Sequence, residues 1–322
     1  MNQLEPLKFK PIFKYRIWGG EQLKEVLHKE YTEENIGESW ELSGVAGDVS
    51  VVSEGSYKGK SLTDLIDSYR EDLLGASVMK RFGMEFPILI KFIDAAKDLS
   101  IQVHPNDELA KQRHQSFGKT EMWYVIQADK QANLIVGFKE GVTQEHFQEA
   151  LKKQQLESLL NYHKVQKGAA FLIPTGTIHA IGAGVMLAEI QQTSDVTYRV
   201  YDFNRKDKDG NTRELHTELA LDALNYQGVD GFKQVYREEV NKSNSIVDSP
   251  YFITKYLPIK DVYEMDLSQR DSFTILMAVN GNSKIKYGVK TYELNYGETI
   301  LIPASLNHLT LEGASTLLEI YL

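Results

Sequence analysis

The chain has 322 residues, 42% of them hydrophobic and 25% charged, with a formal net charge of −9. This is the composition of an ordinary globular protein of one large or two medium domains, which excludes global disorder. The acidic balance disfavours nucleic acid and anionic membranes as partners, because phosphate-rich surfaces recruit Lys and Arg in excess. Cysteine is absent, so disulfides, thiolate nucleophiles and Cys-ligated zinc are excluded, and a reducing compartment fits. No apolar run approaches the roughly 18 residues of a transmembrane helix. The N-terminal MNQLEPLKFKPIFKYRIWGG has no apolar h-region, so a cytoplasmic protein is expected.

In chain order, GEQLKEVLHKEY (20–31) reads as a helix. SLTDLIDSYREDLLG (61–75) reads as a second, with Ser61 as its cap and Gly75 as its stop. PILIKFIDA (87–95) opens a series of short β-branched and aromatic runs that continues at 120–126, 132–138, 169–174, 185–192 and 196–203. VTQEHFQEALKKQQLESLLNYH (142–163) predicts one or two helices and RELHTELALDALNY (213–226) another. Strands resume at 272–281, 284–295 and 316–322. Strands in series, with helices grouped elsewhere, predict β-sandwich or barrel units with helical decoration.

An internal repeat sharpens this. Gly168-Ala-Ala-Phe-Leu-Ile-Pro174-Thr-Gly-Thr-Ile-His179 lies over Gly297-Glu-Thr-Ile-Leu-Ile-Pro303-Ala-Ser-Leu-Asn-His308, with Gly, Pro and His at equal spacing. The pattern Gly-x5-Pro-x4-His resembles the second motif of cupins, which are double-sheet jelly rolls. The resemblance implies a mainly β protein of two cupin-like jelly-roll barrels. An N-terminal domain over 1–225 would have its barrel core at about 85–205, and a C-terminal domain would follow over 226–322. The segment 213–245, a helix and then a polar stretch, reads as the connection.

LSIQVHPND (99–107) carries Gln102 and His104 inside an apolar run, two residues apart and so on one face of a strand. Burying both is costly unless something binds them. Of the eight histidines, His28, His114, His146, His163 and His216 fall on predicted helical, solvated faces. His104 and His179 lie in or beside apolar strands. Glu121 begins the run TEMWYVI and shares a face with Trp123 and Val125. A lone strand histidine is more often a core residue than a ligand. Two imidazoles, a carboxylate and an amide oxygen together form a set suited to zinc or a similar divalent ion. His308 has no such companions, so the second barrel is expected to hold no catalytic metal.

The stretches LSIQVHPND, GKTEMWYV and FLIPTGTIHAIGAGVMLAEIQQTSDVTYRVYDFNR, with the earlier WGGEQL and GESWELSG, closely resemble type I mannose-6-phosphate isomerases of the short bacterial form. The resemblance covers most of 1–225 and implies a zinc-dependent aldose–ketose isomerase acting on a sugar phosphate, mannose 6-phosphate to fructose 6-phosphate, through an enediol. It implies one zinc per chain on Gln102, His104, Glu121 and His179, with Gln102 the weakest ligand. It implies a catalytic role for Arg199, and places Lys119 near phosphate or sugar and Glu189 and Asp195 in the site. An always-charged arginine suits the enediolate or the phosphate rather than proton abstraction. Glu189 or a water held by the metal is better suited to move the proton, and the residues leave both open. Lys91, in PILIKFIDA, is a further cation for the phosphate. With no exposed apolar repeat, a monomer is expected. The rival readings are a sugar-phosphate sensor that kept the metal, and another cupin activity such as an oxygenase, which would use histidine-rich iron sites.

Overall fold

Short runs of β-branched and aromatic residues form strands at the predicted places, except that one strand, Thr274–Tyr287, runs across the gap expected between 272–281 and 284–295, and alternation decides what each sheet packs against. The computed structural model describes residues 3–207, 209–227 and 231–322. The first lobe uses β1 (Leu7–Lys8), β2 (Ile12–Gly20), β3 (Ile36–Leu42), β4 (Ile88–Ala95), β5 (Ile101–Val103), β6 (Glu121–Ala128) and β7 (Asn133–Phe138). It continues with β8 (Leu160–Lys164), β9 (Ala170–Ile173), β10 (His179–Ile181), β11 (Val185–Gln192) and β12 (Tyr198–Tyr201). After β13 (Lys233–Gln234) come β14 (Asn244–Asp248), β15 (Ile253–Asp266), β16 (Thr274–Tyr287), β17 (Lys290–Leu294), β18 (Thr299–Ile302) and β19 (His308–Tyr321).

Three antiparallel sheets result. A seven-stranded sheet runs β13-β9-β6-β11-β4-β3-β2, and a five-stranded sheet runs β12-β5-β10-β7-β8. The third runs β1-β18-β16-β19-β15-β14, with β17 paired to β16. The short strands β1 and β13 cross over, each joining the sheet of the other part of the sequence.

Along β4, Ile93 and Ala95 point between the first two sheets, where they meet Trp123, Val125 and Leu187, with Leu134, Val136 and Ile181 from the five-stranded sheet. Ile88, Ile90 and Phe92 point the other way and merge with Leu257, Ile275 and Leu318 of the third sheet. The seven-stranded sheet is therefore buried on both faces. That is why β4 and β11 read as near-continuous apolar runs, buried at every position. The outer face of the five-stranded sheet packs Ile101, Val103 and Tyr198 against Phe147 and Ala220.

The helices are α1 (Gln22–Glu25), α2 (Leu62–Leu74), α3 (Ala76–Phe82), α4 (Asp107–His114), α5 (Gln144–Lys152) and α6 (Thr217–Ala223). Helix α2 is the one expected: the Ser61 side chain accepts from the Asp64 amide, and Gly75 ends it at φ +94°. Three others are shorter than expected. Helix α1 stops at Glu25, and His28 beyond it adopts φ +55°. Helix α5 stops at Lys152, Gln154 turns left-handed, Leu156–Leu159 form a 3-10 turn, and the end of the predicted helical stretch becomes edge strand β8. His163 therefore sits on a strand, its ring 5.6 Å from that of Phe171. Helix α6 begins only at Thr217, with His216 at its N-cap accepting the Arg199 amide at 3.2 Å. No helix of the described residues is long and apolar enough to cross a membrane.

The sequence repeat is also a structural one. Gly168 and Gly297 adopt φ +86° and +83°, β9 and β18 each start two residues later, and His179 and His308 each open the next strand.

One contact ties the second lobe to the segment that carries Lys119 and Glu121. Asp107 Oδ1 accepts from the Gly118 amide at 2.8 Å and from Gln192 Nε2 at 2.9 Å, while Oδ2 accepts from the Tyr251 hydroxyl at 2.8 Å. Tyr251→Phe is expected to lower the unfolding free energy by about 1–3 kcal/mol, the range for a hydrogen bond to a carboxylate. The readout is the urea midpoint, and an unchanged midpoint would show that the latch contributes nothing.

Candidate metal centre

Cross-strand register assembles the site. On the five-stranded sheet Gln102 pairs with Arg199 on one side and His179 on the other, forming a single row of side chains. On the seven-stranded sheet Trp123, Glu189, Lys91 and Trp40 form another row. A cavity of about 480 Å³ is lined by both rows, through Arg199, Gln102, His179, Trp123, Glu189 and Lys91, together with Trp18, Glu38, Lys119, Asp195, Arg16 and Arg213. Its size is that of a small-molecule site.

His104 follows β5 directly, and His104, Glu121 and His179 are each 1% exposed. His104 Nδ1 lies 2.9 Å from the Val196 carbonyl, and His179 Nδ1 lies 2.9 Å from the Thr177 carbonyl. A carbonyl can only accept, so each Nδ1 carries the proton and each neutral ring presents a bare Nε2. Both bare nitrogens face Glu121: His104 Nε2 is 3.2 Å from Oε1, and His179 Nε2 is 3.6 Å from Oε2. Burial, reinforced by the Lys119 charge, pushes the His104 pKa down to about 3, and burial also lowers that of His179. Burial opposes ionisation of Glu121. Lys119, with Nζ 3.2 Å from Oε1, outweighs it and holds the carboxyl well below the usual range.

The three groups thus converge as lone pairs with no proton to share. His104 Nε2 and both Glu121 oxygens are buried without a hydrogen-bond partner. Each such orphan costs about 1–3 kcal/mol. Their donor atoms all lie within 4.8 Å of one another. A divalent cation between them resolves the repulsion and the lost hydrogen bonds together. The Gln102 amide nitrogen is 3.3 Å from His179 Nε2, and half a turn of the amide brings its oxygen to the same place. Few protein ligands beside a cavity make a catalytic rather than a structural arrangement.

The facing row is a second charged network. Glu189 Oε1 accepts from Lys91 Nζ at 3.0 Å and Oε2 from Trp123 Nε1 at 2.9 Å. Lys91 also lies 4.0 Å from Glu38 Oε2. Glu38 accepts from Arg16 Nε at 2.8 Å, Arg16 Nη2 at 3.1 Å and Trp40 Nε1 at 2.7 Å. Burial opposes ionisation of Glu38, but Lys91 and Arg16 outweigh it and hold its pKa at about 2. Glu189 goes the other way: burial and the Glu121 charge outweigh Lys91 and raise its pKa. A buried carboxyl with a raised pKa, lining a cavity, is suited to proton transfer.

Asp195 is exposed at the cavity rim. Arg199 donates through Nη1 to the Glu214 carbonyl at 2.9 Å, and its Nε is buried without a partner. His308 lies on the surface of the second lobe, 3.5 Å from Asp266. Of the residues singled out from the sequence, Gln102, His179, Lys119, Lys91, Glu189, Asp195 and Arg199 line this cavity; His104 and Glu121 are buried behind it, in contact with His179 and Lys119, and His308 lies apart. Sequence reasoning missed Glu38, Arg16 and Arg213. The signal for Glu38 was a carboxylate inside IGESWEL, which forms a strand buried throughout. Arg16 gave no periodic signal. Tyr15 and Gly20 both pair with Ile36, so residues 16–19 bulge out of the ladder and place Arg16 and Trp18 at the cavity. Gly37 makes room for them, since a Cβ there would lie 2.5 Å from the Trp18 ring.

Comparison with known proteins gives the family. Residues 7–150 match the family model for the phosphomannose isomerase type I catalytic domain, and residues 242–322 match that for the mannose-6-phosphate isomerase cupin domain. The chain is 35% identical to the mannose-6-phosphate isomerase ManA of Bacillus subtilis, across 96% of both chains. It is 34% identical to the mannose-6-phosphate isomerase of Streptococcus mutans, again across 96% of both. The crystal structure of the mannose 6-phosphate isomerase from Bacillus subtilis superposes with a TM-score of 0.91 at 33% identity, covering 99% of this chain and 100% of that one.

Adding a divalent cation to metal-free protein is expected to raise the Tm, since an ion that binds only the folded state stabilises it. In His104→Ala and His179→Ala the rise should vanish; a rise of wild-type size in either would place the ion elsewhere. Glu38 generates a pH prediction. Its folded pKa of about 2 lies below its ordinary 4.5, so its stabilisation is present above pH 4.5 and is lost as pH falls toward 2. Glu38→Gln should lose less unfolding free energy than the wild type over that interval, and parallel curves would contradict the assignment.

Proposed function

The chain is an isomerase of the type I phosphomannose isomerase family, and on that premise we propose that it interconverts D-mannose 6-phosphate and D-fructose 6-phosphate through an enediol, using one zinc ion held by His104, Glu121, His179 and Gln102. The observation that carries this reading is the convergence of unpartnered lone pairs from His104 and Glu121 beside a cavity that also holds Glu189. Zinc fits two imidazoles and a carboxylate, and when bound it supplies Lewis-acid polarisation of sugar oxygens without redox change.

The reaction removes a proton from the carbon beside a carbonyl and returns one to the neighbouring carbon. Glu189 is the proton carrier in this reading. Its pKa is raised, so it accepts and releases a proton more readily near neutrality than an exposed carboxylate does. Trp123 and Lys91 each hold one of its oxygens, which fixes where the proton is taken and returned. Arg199 faces the same cavity, and its charge stabilises the enediolate as negative charge moves onto oxygen. Lys119 and Lys91 supply positive charge to the bound sugar, and Asp195 on the rim accepts from a sugar hydroxyl. The metal and the reacting residues all belong to the 1–225 unit; the 226–322 unit, where His308 is exposed, supplies packing and the Tyr251 contact.

Turnover of mannose 6-phosphate should disappear on chelation and return with zinc. Arg199→Ala should lower kcat by about 10²-fold or more, in line with the loss of a group that stabilises developing charge. His308→Ala should leave kcat at the wild-type level. Metal-replete protein with no turnover would overturn the reading in favour of a sugar-phosphate sensor.

A further inference from the structure

We propose that Arg213, held by Asp202, forms with Arg199 the subsite that grips the phosphoryl group of the substrate and separates phosphorylated from free sugar. The assignment rests on the sugar-phosphate reading above and names a residue that reading did not use.

Charge balance inside the cavity points there. Lys91 pairs with Glu189, Lys119 with Glu121 and Arg16 with Glu38, so the cations near the metal ligands and Glu189 are each offset by a carboxylate. The end formed by β12 and the following loop is different. Asp202, 5% exposed, is the carboxylate between Arg205 and Arg213, and Arg199 forms no ion pair among the described residues. Three guanidinium groups thus face one carboxylate, an excess of two positive charges in a protein of net charge −9. A phosphoryl monoester carries about −1.5 to −2 near neutral pH and matches that excess. Asp195 sits exposed on the rim and forms no ion pair with the cluster.

The donors are also aimed. Asp202 takes Arg213 through two bonds, Nε to Oδ2 at 2.7 Å and Nη2 to Oδ1 at 2.6 Å. That two-point hold fixes the plane of the guanidinium and leaves Nη1 without a hydrogen bond to any described residue. Arg205 completes the support: its Nε reaches Asp202 Oδ1 at 3.2 Å and its Nη1 donates to the Asp98 carbonyl. Arg199 uses Nη1 on the Glu214 carbonyl, and its buried Nε has no partner. Arg199 and Arg213 line the same cavity. Burial, and then the Arg213 charge, lower the Arg199 pKa, and Asp202 only partly opposes them, as expected where cations outnumber carboxylates. Planar guanidinium forks with free N–H groups match phosphate oxygens in geometry as well as charge.

The test uses full-length, zinc-loaded protein and inorganic phosphate as probe, measured by titration calorimetry, with steady-state kinetics on mannose 6-phosphate alongside. Arg213→Gln should weaken phosphate binding by about tenfold or more, the loss expected of charge-assisted hydrogen bonds. KM should rise by a similar factor, with kcat within about threefold of wild type and zinc content unchanged. Arg213→Lys keeps the charge and loses the two-point hold on Asp202. It should weaken phosphate binding by about threefold to tenfold, and it decides the matter if the Gln variant does not fold. Wild-type phosphate affinity and KM in a folded variant would overturn the subsite while leaving the isomerase reading intact, as would a wild-type protein that does not bind phosphate. Loss of phosphate binding in the variant of a protein that does not isomerise would overturn the isomerase reading and leave the subsite standing.

Discussion

Two backbone carbonyls set up the chemistry of this protein. By taking the Nδ1 protons of His104 and His179, the Val196 and Thr177 carbonyls oblige both rings to turn bare nitrogens toward an ionised Glu121. In a site 1% exposed, such an arrangement is repulsive by itself and is stabilised by a cation. The imidazoles are held neutral by burial and the carboxyl is held charged by Lys119, so the donors are ready for a metal without first releasing protons.

The fold serves this constraint by burying one sheet on both faces. The seven-stranded sheet gives Ile88, Ile90 and Phe92 to the core it shares with the second lobe, and Lys91 and Glu189 to the cavity. A charged pair can sit in the middle of such a sheet because its neighbours are fixed on every side. Glu189 is fixed by Lys91 and Trp123; Lys91 lies between Glu189 and Glu38; Glu38 is fixed by Arg16 and Trp40. The second lobe supplies the outer wall of that sheet. Through Tyr251 and Asp107 it also steadies the segment that delivers Lys119 and Glu121.

Much of this was legible in the sequence, for physical reasons. Strand alternation is strict, so Gln102, Lys91 and Glu189 had to face away from the apolar residues on either side of them, Ile101 and Val103, Ile90 and Phe92, and Ala188 and Ile190. The repeated Gly-x5-Pro-x4-His marked the same turn, strand and histidine in both lobes. What was not legible depends on register and on breaks in periodicity. Nothing local shows that Glu189 stands opposite Lys91 and Trp123, because that pairing is set by strands far apart in the chain. The bulge at 16–19 removed Arg16 from any periodic pattern. Arg213 was hidden because the run from 213 to 226 reads as one helix; α6 starts at Thr217, which frees Arg213 to reach Asp202 and the cavity. Of the one or two helices expected over 142–163, α5 forms, but left-handed Gln154 ends it, only a short 3-10 turn at Leu156–Leu159 follows, and Leu160 buries itself on an edge strand.

The central claim is that His104, Glu121 and His179 converge on a single metal ion. An anomalous-difference map from crystals of the zinc-loaded protein, collected on either side of the zinc edge, tests it most directly. The account predicts one peak per chain at about 2.0–2.2 Å from His104 Nε2, His179 Nε2 and a Glu121 oxygen, the distances of zinc to nitrogen and oxygen ligands. A map with zinc bound elsewhere on the chain and no peak among these three residues would contradict it.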